Sequence, residues 1–304
     1  MNLWRSTVLA IAGQPLVERL VKTYGLRLAR RFVAGDTLEE ALEVVDRLEV
    51  EGIHGILDVL GEMVTDEAMA RAFAEEIKKT VAAFAERPYP RYVSVKLTQL
   101  GLDTATSLAE ALLADILTLA REKDVFVRID MEDSPRVDAT IGVYRTMRER
   151  GFDNVGLVLQ AYLKRTEADL EALRPYAPDL RVVKGAYREP PEVAYQDQNT
   201  IRERFKALVR KNLEAGNKTA IATHDDVLID WAKRWTGEAG IPRERFEFQF
   251  LYGVRSELQR KTAREGYTTR AYVPFGQSWY PYFSRRIAER PENALFVLRG
   301  IVKK

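Results

Sequence analysis

From residue 53 onward the chain keeps one rhythm, a short apolar run followed by a longer segment of helical periodicity, repeated eight times. The apolar runs are HGILDVL (54–60), YVSVKL (92–97), VFVRID (125–130), NVGLVLQ (154–160), LRVVKG (180–185), KTAIATH (218–224), FEFQFL (246–251) and TTRAYV (268–273), and they read as buried strands. Helical patterns lie between them near 66–86, 105–122, 135–150, 167–174, 200–215, 226–239 and 256–265, and another follows the last strand at 279–289. Strands alternating with helices of this length form βαβ units with parallel pairing. Eight units match the size of a (βα)8 barrel, about 250 residues. A doubly wound open sheet competes, but it usually carries a Gly-rich phosphate turn after its first strand, and no GxGxxG occurs.

Residues 1–51 read as a helical arm ahead of a barrel domain spanning 52–304. Asp36 or Thr37 can cap a helix through Leu38, Ala41, Leu42, Val45 and Leu48. Before it, Arg19, Lys22, Arg27, Arg30 and Arg31 interleave with apolar residues, which suits a packing helix with a basic outer face or a surface for an anionic membrane. The loop 188–199 is the longest irregular piece, and a last helix is expected at 291–302. Lys+Arg of 47 against Asp+Glu of 45 is too balanced to suggest a nucleic-acid partner. The absence of cysteine excludes disulfides, thiolate-bound metals and a cysteine nucleophile. The apolar run 7–12 lacks the features of a signal peptide, and no segment nears the ~20 apolar residues of a membrane span. A cytoplasmic chain is expected, and its oligomeric state cannot be read from the sequence.

In a barrel the site forms where strands end. Those ends carry Glu62, Lys96, Asp130, Gln160, Lys184 (with Arg181 inside its strand), His224, Gln249 and Tyr272. On the helix at 279–289, Tyr282, Arg285, Arg286 and Glu289 share one face. Paired guanidiniums suit a small carboxylate, although the same spacing describes a solvated helix with Arg/Glu pairs. Lys96 with Arg285 and Arg286 offers three cations to one anion, and Asp130 beside them should stay ionised. Tyr272 and Tyr282 can form apolar walls with polar tips. His224 can be an acid/base, a stacking ring or a hydrogen-bonded strand end, whereas His54 opens the first strand and reads as structural. No HExxH and no metal-spaced His/Asp cluster is present.

SVKLTQLG (94–101), RIDMED (128–133), VLQAYLKRT (158–166), RVVKGAYREP (181–190), ATHD (222–225), FEFQFLYG (246–253), RAYVPFG (270–276) and YFSRRIAERPEN (282–293) together resemble the successive motifs of flavin-dependent proline dehydrogenase, in its compact monofunctional bacterial form. The likeness runs in order over about 40–300 and leaves the first 35 or so residues without a counterpart. It implies a distorted (βα)8 TIM-type barrel holding FAD, with a final helix over the mouth. The implied reaction is oxidation of L-proline to 1-pyrroline-5-carboxylate, with electrons leaving for a membrane quinone and possible peripheral membrane contact.

By position, Lys96, Arg285 and Arg286 resemble the family's carboxylate binders, Asp130 its catalytic aspartate, and Arg181 the arginine near the reactive flavin nitrogen. Met131, Gln160, Val183, Lys184, Gly185, Ala186, Thr223 and His224 match positions that hold FAD. Tyr187, Leu251, Tyr272 and Tyr282 match those that enclose the proline ring. Glu62 resembles a gate residue paired with Arg285, and Glu289 is placed to orient the two arginines. Arg188 stands where some relatives carry tryptophan. Two rival readings remain: a Schiff-base lyase using Lys96 or Lys184 as its amine, and a non-enzymatic barrel that binds an amino acid or a flavin.

Overall fold

The computed structural model describes residues 29–61 and 64–289, together with Gln14. The basic segment from Arg19 to residue 28, Glu62, the side chain of Glu289 and the expected helix at 291–302 lie outside the described residues. Eight parallel strands close into a barrel in sequence order. They are β1 (His54–Val59), β2 (Arg91–Val95), β3 (Val125–Ile129), β4 (Val155–Gln160), β5 (Leu180–Val183), β6 (Thr219–Ala222), β7 (Phe246–Leu251) and β8 (Thr269–Phe275). Closure comes from β8 pairing with β1, in register from His54↔Arg270 to Val59↔Phe275. The helices are α1 (Leu38–Val50), α2 (Glu67–Ala85), α3 (Thr106–Glu122), α4 (Val137–Glu149), α5 (Thr166–Leu173), α6 (Gln198–Glu214), α7 (Asp226–Glu238), α8 (Ser256–Arg264) and α9 (Trp279–Glu289). All eight expected strands and each intervening helix are present.

Local chemistry sets where the helices start. Of the two candidate caps for α1, the structure uses Thr37, whose side chain accepts from Glu40 N in a capping box. Asp66, Asp197 and Asp225 likewise cap α2, α6 and α7 by accepting from Met69, Thr200 and Val227 N. Each helix then buries one stripe against the sheet, as Ile77, Val81 and Phe84 do on α2. Helix α1 lies against β1 and β8 and covers the outside of the closing seam.

The barrel interior departs from the apolar filling that the strand runs suggest. Alternate residues of a strand point inward, and here several inward positions are polar: Asp58, Ser94 and Arg128 pair at one level of β1, β2 and β3. Arg128 is fully buried, donating to the Asp179 carboxylate at 2.6 Å and to the Leu157 and Asp179 carbonyls. It fits because Gly156 stands opposite it, where a Cβ would come within 2.3 Å of the guanidinium. Arg270 donates to Glu247 at 2.9 Å and lies over the Tyr92 ring at 3.7 Å. Buried charges persist only when matched in this way.

Candidate active site

A cavity of about 1520 Å³ opens at the C-terminal ends of the strands. Lys96 follows β2, Asp130 follows β3, Arg181 comes from β5 and Tyr272 from β8, and hydrogen bonds join all four. Arg181 Nη1 donates to Asp130 Oδ1 at 2.7 Å, and the Tyr272 hydroxyl donates to Asp130 Oδ2 at 2.7 Å. Lys96 Nζ donates to the same carboxylate at 3.2 Å, to the Tyr272 hydroxyl at 3.1 Å and to Asp58 at 2.9 Å. The rest of Arg181 is held by Gln249 Oε1 at 2.5 Å and Ser94 Oγ at 3.1 Å. Gln249 takes its orientation from Glu247, which accepts from its amide nitrogen. A line of polar contacts therefore runs from the mouth through Asp130, Arg181, Gln249 and Glu247 to Arg270.

Charge balance sets the protonation of this group. Burial pushes the Asp130 carboxyl up, but Lys96, Arg181 and the Tyr272 hydroxyl outweigh it and hold it below its ordinary value. Burial opposes the charge on Lys96, yet Asp58, Tyr272 and Asp130 raise its ammonium well above the usual lysine range. Asp58 moves the other way from Asp130: its burial, with the Asp130 charge added, exceeds the pull of Lys96 and raises it. Burial keeps the Tyr272 phenol protonated far above its usual range, with Asp130 and Asp58 adding to the effect. Lys96 and Arg181 thus frame the ionised Asp130 carboxylate from two sides.

Helix α9 stands over this mouth. Tyr282 and Arg286 are buried, Arg285 is half-buried, and all three line the cavity. The Arg286 guanidinium lies 5.1 Å from the centre of the Tyr282 ring. The adjoining face of α9 packs Trp279, Phe283 and Ile287 with Ala29, Phe32, Val33 and Leu60. That apolar seat turns the arginines toward the cavity, so the stripe is no solvated surface. Three of those four seat residues, Ala29, Phe32 and Val33, lie just before α1 and match no family motif.

The remaining expected residues sit mainly along the β4–β6 side. Met131, Gln160, Val183, Lys184, Gly185, Ala186, Thr223 and His224 all line the cavity, as do Tyr187 and Leu251. His224 Nε2 accepts from Leu251 N at 3.0 Å, and its ring lies 5.7 Å from that of Phe250, so its orientation is preset. Lys184 and Arg202 both donate to Asp225. Burial pushes the Tyr187 hydroxyl up to about 12. The loop after β5 is strapped down: Glu189 accepts from Ser134 N at 2.7 Å and Oγ at 2.6 Å, and Leu163 bridges to Ala194. His54 lies outside the site, bonded to Glu49 at 2.9 Å, as a structural residue should be.

Three participants escape a reading of strand ends: Asp58, Ser94 and Asp225. Asp58 had a usable signal, since it is the one carboxylate inside the apolar run HGILDVL. Ser94 had none, because small polar residues near strand ends are common. The lysines do not suit the Schiff-base reading. Lys96 is held charged, and Lys184 is paired with Asp225.

Comparison with known proteins agrees with this geometry. The family model described as proline dehydrogenase matches residues 41–299. "Proline dehydrogenase 1" of Bacillus subtilis subsp. natto is 46% identical over 301 residues, covering 99% of both chains. "Proline dehydrogenase" of Deinococcus radiodurans is 43% identical over 306 residues, again covering 99% of both. Among solved structures, proline utilization A (PutA) from Bdellovibrio bacteriovorus, inactivated by N-propargylglycine, superposes with a TM-score of 0.81 at 25% identity, over 90% of this chain and 34% of that one. Barrel, site and full-length likeness lead to one assignment: this chain belongs to the proline dehydrogenase family.

Proposed function

We propose that the oxidation of proline to 1-pyrroline-5-carboxylate by this chain is FAD-dependent and that its electrons pass to a quinone. The observation that carries the reading is a single cavity joining two chemically different halves. One half holds Arg285, Arg286, Lys96 and Asp130, suited to a small zwitterion. The other runs along Gln160, Lys184, Gly185, Thr223 and His224; together they make a cavity of about 1520 Å³, far larger than proline needs and beyond the usual ~300–1,000 Å³ of small-ligand pockets. Its mixture of apolar walls, a preset imidazole and a glycine-containing turn fits a flavin dinucleotide. Met131, Gln160, Val183, Lys184, Gly185, Ala186, Thr223 and His224 would hold that group. When bound, FAD would accept the hydride removed from the substrate carbon.

The chain's own residues supply binding and field. Arg285 and Arg286 hold the substrate carboxylate through forked N–H donors, each charged hydrogen bond contributing about 1.5–3 kcal/mol. Lys96 contributes as a third cation by exchanging one of its present acceptors for the substrate. Tyr187, Leu251, Tyr272 and Tyr282 enclose the ring and exclude water, which fixes the reacting carbon in place. Arg181, buried and tied to Asp130, provides fixed positive charge where electron density accumulates. By the family resemblance Glu62 is assigned a gating role with Arg285, and by its spacing Glu289 is assigned an orienting role for the arginine pair. Among the described residues no helix is long and apolar enough to cross a membrane. The quinone is met at the inner face of the cell membrane by peripheral contact.

Purified protein should be yellow, and its flavin band should bleach on addition of proline. A soluble quinone should then restore the colour. Colourless protein that gains no activity from added FAD would overturn the cofactor assignment; bleaching that no quinone reverses would overturn the acceptor.

A further inference from the structure

Asp58 lies on β1 with none of its surface exposed, beneath the cavity rather than in its lining. Its Oδ1 accepts from Lys96 Nζ at 2.9 Å, and among the described residues its Oδ2 has no hydrogen-bond partner. An ammonium has three N–H donors, and Lys96 directs them to Asp58, the Tyr272 hydroxyl at 3.1 Å and Asp130 at 3.2 Å. Asp130 is divided among Arg181, Tyr272 and Lys96. Among the described hydrogen bonds Asp58 accepts from Lys96, with the Tyr272 hydroxyl also acting on it. The buried group therefore contains two cations, Lys96 and Arg181, and two carboxylates, Asp58 and Asp130.

We propose that Asp58 is a positioning residue for proline oxidation: it anchors Lys96 from below and supplies the second negative charge that leaves the cavity floor balanced for a zwitterionic substrate. The proposal rests on the reading above, in which Arg285 and Arg286 take the substrate carboxylate. With that carboxylate matched at the mouth, the substrate's ammonium enters a region whose own charges cancel. Removing the Asp58 charge gives the floor an excess positive charge. A zwitterion is then penalised at its ammonium, whereas a ligand with only the carboxylate is attracted. A purely structural carboxylate would not separate the two, since damage to the cavity weakens both.

The test compares wild type with Asp58→Asn at about pH 8, using L-proline and cyclopentanecarboxylate, which keeps the ring and the carboxylate but lacks the amine. The expected result is a KM for proline raised about tenfold and a Ki for cyclopentanecarboxylate lowered about threefold or more. Weakening of both ligands, or no change in either, overturns the proposal. If wild type itself does not oxidise proline, the functional reading fails separately, and calorimetric Kd values for the two ligands still decide the charge claim. Should Asp58→Asn not fold, Asp58→Ser, smaller and still able to accept from Lys96, carries the same comparison.

Discussion

Arg181 Nη1 and Asp130 Oδ1 lie 2.7 Å apart, tying β5 to the end of β3 across the barrel interior. The pair is buried, with Arg181 only 5% exposed. Breaking it leaves two cations without their shared counter-ion. Asp130→Ala is expected to cost about 3–5 kcal/mol of stability and at least about 100-fold in kcat/KM. Urea unfolding and steady-state kinetics measure the two, and near-wild-type values for both would remove Asp130 from the centre of the site.

The same carboxylate makes stability depend on pH. Its folded value lies below the ordinary 3.8, so its contribution is present above that pH and is lost as pH falls through the lowered value. Asp58 has the opposite sign. Its value is raised above 3.8, so the native state gains stability as pH drops toward it and Asp58 takes up a proton. Urea midpoints followed downward from about pH 5 should therefore fall more steeply below pH 3.8 in wild type than in Asp130→Asn. Parallel curves would contradict this assignment of charge.

Gln249 Oε1 accepts from Arg181 Nε at 2.5 Å, and Glu247 sets which way its amide faces. Gln249→Leu keeps the volume and strands a buried guanidinium N–H. Stability should fall by about 2 kcal/mol, and kcat should fall more than KM changes, since Arg181 works on the reacting centre rather than on the substrate carboxylate. An effect confined to KM would argue against that division.

Arg286→Lys should raise KM for proline about tenfold or more, because a point-charge ammonium cannot replace a planar fork. Arg286 is buried over the cavity with its guanidinium near the Tyr282 ring, so the shorter lysine has little freedom to compensate. An unchanged KM would take Arg286 out of the binding site.

Gly185 has φ +120, and a Cβ there would come within 2.2 Å of the Tyr162 ring. Gly185→Ala must move the turn after β5 or the ring beneath it, at a cost of about 1–3 kcal/mol for the backbone alone. The expected outcome is a lower flavin content per chain, read from absorbance, together with a lower urea midpoint. Full flavin occupancy in the variant would mean that this turn does not shape the cofactor half of the cavity.

Much of the architecture was legible before any coordinates, because periodicity is a local property. The eight runs and the helices between them follow from apolar spacing, and Thr37, one of the two caps the sequence offers for α1, marks its start by its own side-chain oxygen. Lys96, Asp130, Arg181 and Tyr272 were also legible, since parallel closure brings strand ends to one mouth and family motifs name the positions. Asp58 was not read, because a single acid inside an apolar run does not announce which of its neighbours will neutralise it. Lys96 was read as a substrate cation, and the structure shows that its three donors are already engaged by protein groups.

The arginine face of α9 shows where local information stops. From sequence alone, Tyr282, Arg285 and Arg286 fit a solvated helix as well as a lid. Tertiary packing decided between them: Phe32 and Val33, some 250 residues earlier in the chain, bury the adjoining face of α9 with Leu60. What the sequence determined by itself was the order of elements and the chemistry available at their ends. What only the tertiary structure decided was which charges meet, because ion pairing depends on distance in space, and closing the barrel brings β1, β2, β3, β5 and β8 within hydrogen-bond reach across a shared interior.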